Sequence, residues 1–391
     1  MMTDKDHNRI LESPYIIDGI PEEATPFEML ESACGREPQT EDAPSRPTIV
    51  DETLDPSPGS AEPELSRYRE YLAAVLSMGR AQVPPSFSGA WTRSRLASAL
   101  TASLWRSGHF RLGDLAVSAQ WRWNPAPVGG AAGFYASVEA ACDSLDGLGI
   151  PMKAYSAEES SRSEVAFRVT LSEDAPAPED EEDEDPAEEE TFFAELPFRT
   201  EKPRMGRSRK CPEKIAGEPG GWIIYIPFDT CQPALGGSAL SQATDVSCGS
   251  APEIYDCDYF LDCYEVVREL AEDGIIRAGT GIAEGGLIAA LARMIPEGMD
   301  LNVELGGLLK SYGGCTPVQI LFSETPGAVA EISDDDFDYL DAELLLQDVA
   351  YYPLGRTVPG KGRVSVSTSD SSGLNHILDA LIGNQAAEGE D

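Results

Sequence analysis

Apolar positions along the chain alternate between a helical and a strand period, and the changes of period outline the elements. Tyr68, Tyr71, Leu72, Val75 and Leu76 follow helical spacing, and ordered structure is expected to begin near Leu65. A second helix is predicted over Trp91–Trp105, with Leu96, Ala97, Leu100 and Leu104 on its apolar face. Leu112–Trp123 then alternates as a strand (Leu115, Val117, Ala119, Trp121), and a Pro- and Gly-rich loop follows. Phe134–Leu148 reads as an amphipathic helix ended by Gly149, and Val165–Thr170 as a strand.

The second half repeats this rhythm. Gly221–Pro227 is a continuous apolar run of the kind buried on both faces of a sheet. Tyr259–Asp273 is a helix carrying Phe260, Cys263, Val266, Val267 and Leu270. A short β-type run from Ile275 leads into a Gly-rich turn, and Leu287, Ile288, Leu291 and Met294 begin another helix, closed by Pro296 and Gly298. Leu301–Leu305 and Leu321–Ile332 are expected to be strands, the latter turning at Pro326-Gly327. Phe337–Leu346 is an acidic helix, and Leu374–Ile382 a short helix in the tail.

Composition changes this picture at the ends and in the middle. Residues 1–65 are rich in Pro, Glu, Asp, Ser and Thr and are expected to be largely disordered, with Tyr15–Ile20 as a stretch able to dock. Between Glu179 and Glu190, ten of twelve residues are acidic, which marks a solvated insertion. Arg204–Lys214 is basic, suited to neutralising that run or to meeting a phosphate. With 29 Lys and Arg against 68 Asp and Glu, the 391-residue chain carries −39, which argues against nucleic acid and anionic membrane as partners. Eight Cys, three His and no apolar span long enough for a bilayer suit a cytoplasmic protein; buried thiols are favoured over a zinc site.

The candidate chemistry lies in the glycine turns. In Thr280-Gly-Ile-Ala-Glu284-Gly285-Gly286-Leu287 an acid sits just ahead of a helix, where exposed backbone N–H groups meet phosphates or an acid holds a metal. By spacing alone, a turn that needed glycine and a helix that accepts an acid in its first turn explain it as well.

Several blocks together resemble one superfamily. Glu269–Ala278, Gly285-Gly286-Leu287, Leu291–Met294, Leu321-Phe-Ser-Glu324 and the turn Leu235-Gly-Gly-Ser-Ala-Leu240 are similar to the C-terminal part of aminoimidazole ribonucleotide synthetase and phosphoribosylformylglycinamidine synthase. Ser94–Thr101, Val117–Trp121, Gly133–Val138 and Leu148-Gly-Ile-Pro151 resemble the synthase's N-terminal part. The resemblance implies an α/β fold, with a ferredoxin-like N-terminal module over 66–200, interrupted by the insertion at 172–190. A basic linker (201–219), a C-terminal α/β module with a mixed sheet (220–365) and a tail (366–391) would follow.

It further implies ATP and Mg²⁺, with Gly236, Gly237, Ser238, Glu284, Gly285, Gly286, Ser323 and Glu324 at the nucleotide and Glu284 at the metal. No catalytic residue is assigned. The family turn His-Asp-x-Ser-Asp-Gly-Gly-Leu is reduced here to one glutamate, and the family's Gly-Lys-Asp-Ser loop is replaced by Met152–Ser156, without its glycine and aspartate. Gln120 stands where the family often has Asn. Two classes are therefore open: an ATP-dependent C–N ligase of purine biosynthesis with weakened activity, or a degenerate, non-catalytic structural or nucleotide-binding partner subunit. Either would pair through the N-terminal module, as a homodimer or with another subunit.

Overall fold

The computed structural model describes residues 9–37, 47–50, 63–106, 110–172, 211–215, 220–244 and 249–368. The acidic run at 179–190, the Arg204–Lys210 part of the basic stretch and the helix expected at Leu374–Ile382 lie outside these residues.

The expectation of a largely disordered 1–65 does not hold for 9–37 and 47–50. Helix α1 (Arg9–Glu12), strands β1 (Tyr15–Ile17) and β2 (Ile20–Pro21), helix α2 (Pro26–Ala33) and strand β3 (Thr48–Val50) form here, with the sheet order β2-β1-β3. Low average hydrophobicity concealed a few strong anchors. Tyr15 is buried and packs at a tilt of 46° against Tyr135 with ring centroids 5.3 Å apart, Leu30 is buried, and Thr25 and Glu28 form a reciprocal capping box that starts α2.

Helices α3 (Tyr68–Met78) and α4 (Ser88–Ser103) lead into strand β4 (Leu115–Trp123). Helix α5 (Gly130–Leu148) returns the chain to β5 (Met152–Glu159), which lies parallel to β4, and β6 (Glu164–Leu171) pairs antiparallel on its other side. Two tryptophans fix α5 on this sheet: Trp121 Nε1 donates to Ser137 Oγ at 2.9 Å and Trp123 Nε1 to the Gly130 carbonyl at 2.7 Å. Gly149 ends α5 in the left-handed conformation, where glycine carries no Cβ penalty. Met152–Ser156 runs within a paired strand, so this chain has no phosphate loop at that point.

The second sheet has six strands: β7 (Trp222–Pro227), β8 (Ile276–Gly281), β9 (Met299–Glu304), β10 (Gly327–Ile332), β11 (Tyr352–Pro359) and β12 (Val364–Ser367). Their order is β12-β9-β11-β7-β10-β8, antiparallel except for the β12–β9 pair. Both faces are covered. Ile224, Ile226, Ala328 and Ala330 pack toward α7 (Cys257–Glu272) in one core; Ile223, Tyr225 and Val329 pack toward α8 (Gly286–Met294) in the other. Helices α6 (Ala239–Thr244), α9 (Gly306–Ser311), α10 (Pro317–Phe322) and α11 (Phe337–Leu346) complete the layers.

Leu321 and Phe322 end α10 and do not begin a strand. Thr316 caps that helix, with Pro317 at its first turn and Gln319 reaching back to the Thr316 backbone, and this local chemistry outweighs the apolar run. Among the described residues no helix is long and apolar enough to cross a membrane.

Candidate functional site

The two glycine turns, separated in sequence, meet around one carboxylate. Glu324 Oε1 accepts from the Ala239 N–H at 2.8 Å, just past Gly236-Gly237-Ser238, and from the Gly285 N–H at 3.1 Å. Beside it, Ser323 Oγ accepts from the Ala234 N–H at 3.2 Å and lies 2.8 Å from Thr325 Oγ1. The eight residues singled out from the sequence are thus gathered into one place.

Their chemistry is turned inward. Glu324 is 3% exposed, and burial pushes its carboxyl up to about 7; Glu284 adds to the rise, while the two amide bonds and Arg95 oppose it. Ser238 is fully buried, and its Oγ accepts from the Ser241 N–H.

Glu284 is the more accessible acid, with 35% of its side chain exposed, but its Oε1 is engaged. Ala81 N–H and Arg95 Nη2 both donate to it at 3.3 Å, and Arg80 Nε lies 4.0 Å away. Burial and the neighbouring Arg95 pull the Arg80 guanidinium down to about 10.

The glycines have no room for another group. A Cβ on Gly286 would come within 2.6–2.8 Å of backbone atoms of Phe322, Ser323 and Leu321, and one on Gly236 within 2.6 Å of Gly249 and Ser250. On Gly237 it would meet Pro84 Cγ and Trp91 Nε1 at 2.6 Å, and on Gly285 the Ala289 methyl at 2.8 Å. Each space is filled by the chain's own atoms, so the turns serve close packing.

Several participants were missed from the sequence. Trp91 Nε1 donates to the Gly236 carbonyl at 3.0 Å, and Gln242 Nε2 to the Gly237 carbonyl at 2.8 Å. Arg95 on α4 and Ser98, whose Oγ donates to the Ile282 carbonyl at 3.2 Å, complete a stripe with Trp91. Trp91, Arg95 and Ser98 stand at i, i+4 and i+7 on one face of a helix rich in polar residues, so only their shared face marks them out. Along β8, Thr280 Oγ1 donates to Glu213 at 3.2 Å, and Arg293 Nε pairs with the same carboxylate at 3.4 Å.

Comparison with known proteins bears on the same region. Residues 218–367 match the family described as AIR synthase related protein, C-terminal domain. A probable phosphoribosylformylglycinamidine synthase, chloroplastic/mitochondrial, of Arabidopsis thaliana is 28% identical over 145 residues, covering 37% of this chain and 10% of that protein. A probable membrane antigen 75 of Equine herpesvirus 2 is 39% identical over 69 residues, 18% of this chain and 5% of that protein. The chain spans about a tenth of the length of the curated synthases it matches. In fold it is similar to T. maritima PurL complexed with FGAR, with a TM-score of 0.50 at 11% identity, covering 88% of this chain and 53% of that one.

Proposed function

Since the chain belongs to the superfamily of AIR synthase and phosphoribosylformylglycinamidine synthase, we propose that it is a synthase-derived partner subunit of purine biosynthesis, without phosphoryl-transfer chemistry of its own. The observation that carries this reading is the engagement of both candidate carboxylates. Glu324 is buried and bonded to two backbone amides, and Glu284 is bonded to Ala81 N–H and Arg95. Mg²⁺ between phosphates needs anionic oxygen ligands that face the nucleotide. Glu284 alone does not supply that set, and the glycine turns are filled. ATP and Mg²⁺ therefore do not fit the residues present.

The partner role is supported by the sheet β5-β4-β6. Gln120 and Ser156 are register neighbours on β4 and β5, on the face opposite Trp121; Gln120 Oε1 and Ser156 Oγ are buried without a hydrogen-bond partner among the described residues. Each such group costs about 1–3 kcal/mol, a cost that repacking of this face on pairing with a second copy or another subunit would relieve.

The test is turnover by the purified chain with formylglycinamide ribonucleotide, ATP and ammonia. No ADP release above background is expected. Substrate-dependent release that Glu284→Ala abolishes would instead establish an ATP-dependent ligase. Sedimentation at several concentrations, with and without candidate synthase subunits, tests the pairing; a monomer throughout would remove it.

A further inference from the structure

In the small sheet β2-β1-β3, strand β3 has β1 on one side and no strand on the other among the described residues. Thr48 N–H donates to the Pro14 carbonyl at 2.7 Å, and the Val50 carbonyl accepts from the Asp18 N–H at 2.8 Å, so these two residues face β1 in the parallel ladder. Every second residue of a strand bonds to the same neighbour, which turns the Ile49 N–H and carbonyl to the outer edge. Neither makes a backbone bond there to a described residue. Sheet edges are commonly blunted by a charge or a proline within the strand, and Thr48-Ile49-Val50 has neither.

The same strand lines a groove of about 310 Å³. Ile49 and Val50 border it together with Pro125, Pro127, Val128 and Ala131, from the loop before α5 and the first turn of that helix. None of the six carries a charge, and Ile49 and Val128 are 61% and 55% exposed. The surroundings are acidic. Residues 9–37 and 47–50 hold seven Asp and Glu against Arg9 and Arg36, and Asp18 stands at the end of β3 through its bond to Val50.

We propose that the β3 edge is a docking site for an extended, basic-flanked segment of another protein, added as a strand beside Ile49. The unmet backbone donor and acceptor select an extended polypeptide, because a lipid chain or small apolar ligand would fill the groove and leave them unpaired. Side chains alternate along an added strand, so one apolar residue enters the groove while its neighbours stay in water. Lys or Arg on either side meets the acidic surroundings, which sets the orientation and speeds encounter. This surface goes beyond the pairing proposed above. Strand β3 packs on α5, which covers the Trp121 side of β4, whereas Gln120 and Ser156 lie on the opposite side.

The probe is a capped fluorescent peptide, Lys-Lys-Val-Thr-Val-Thr-Val-Lys-Lys, titrated with the full chain and read by anisotropy. Saturable binding is expected, weaker by roughly tenfold or more when glutamates replace the lysines, and lost when the central amides of the peptide are methylated. Ile49→Lys and Val128→Lys alter exposed side chains, so either keeps the question answerable if the other folds poorly. Each should weaken binding by about tenfold or more, since a charge on an edge opposes strand addition. Leu345→Lys makes the same charge change at a side chain 75% exposed on α11 and should leave affinity within about twofold. Absence of binding by the parent chain would overturn the proposal. So would equal affinity for the methylated or glutamate-flanked peptide, equal loss in Leu345→Lys, or no loss in Ile49→Lys and Val128→Lys. Self-association of the parent that Ile49→Lys abolishes would assign the edge to a second copy and overturn it as well. None of these results depends on turnover or on the β5-β4-β6 face.

Discussion

The Gly236-Gly237 and Gly285-Gly286 turns look alike in sequence and are closed in different ways. At Gly237 the neighbours are side chains from the other half of the chain, Pro84, Phe87 and Trp91. At Gly286 they are backbone atoms of Leu321, Phe322 and Ser323, at the end of α10 within the same module. Both glycines have positive φ, +72° and +70°. Gly237 therefore takes its surroundings from docking between two regions, whereas Gly286 belongs to the local fold of the six-stranded sheet. Glu324 joins them with one oxygen, which couples a docking contact to a core contact.

The largest effect should come from the second turn. Gly286→Ala places a Cβ in a left-handed residue against backbone that cannot swing aside, and is expected to cost about 3–5 kcal/mol. Gly237→Ala meets side chains that can yield and should cost less, about 2 kcal/mol. The comparison is sharpened by adding Pro84→Ala to each. Its effect should be non-additive with Gly237→Ala and additive with Gly286→Ala, as read from urea midpoints at unchanged slope. Equal coupling in both pairs would erase the distinction between the turns.

Glu324 gives the next effect, and its sign is fixed by its raised folded-state value of about 7 against an ordinary 4.5. Below about pH 4 both states are protonated and burial of the acid costs nothing extra. As pH rises, the unfolded carboxyl ionises first, so stability falls until the folded group ionises near 7, by about 3 kcal/mol in all. Glu324→Gln keeps an oxygen to accept from Ala239 and Gly285 N–H but does not ionise. Its stability relative to the parent should therefore climb between pH 4.5 and 7.5 and level off above. A difference that stays flat across this range would show that the carboxyl is not held in its neutral form.

Much of this architecture was legible in the residues. The helices at Cys257–Glu272, Gly286–Met294 and Phe337–Leu346 and the strand at Trp222–Pro227 fall close to where periodicity and glycine placed them. At Leu321–Phe322 the apolar run alone points to a strand, and the helix-start signal of Thr316, Pro317 and Gln319 prevails over it. Residues 9–37 were missed because Tyr15 and Leu30 contribute little to average composition and much to burial. The gathering of Gly236, Gly285 and Glu324 was foreseen only through resemblance. The bonds that engage Glu284 and Gln242 were not legible at all: their partners lie 160 to 203 residues away, and only the packing of α4 on the second module brings them together.

The smallest effect is expected at Glu284, and it tests whether this acid is part of the core or a clasp on the docking side. Its side chain is 35% exposed, so its pairing with Arg95 and Arg80 is partly screened. Glu284→Gln keeps an oxygen to accept from Ala81 N–H and Arg95, and should cost only a few tenths of a kcal/mol. Glu284→Ala withdraws the acceptor and leaves Arg95, whose side chain is 12% exposed, with the Ala81 carbonyl as its remaining bond partner among those described here. About 1 kcal/mol is then expected, shrinking as salt is raised from low ionic strength to 0.5 M, roughly, because exposed charge interactions are screened over a few ångströms at that strength. The loss should appear as faster amide exchange at Ala81 and leave Gly286 and the end of α10 untouched. If Glu284→Ala instead costs as much as Gly286→Ala and loosens α10, the second turn is organised by its acid and not by the backbone packed against its glycines.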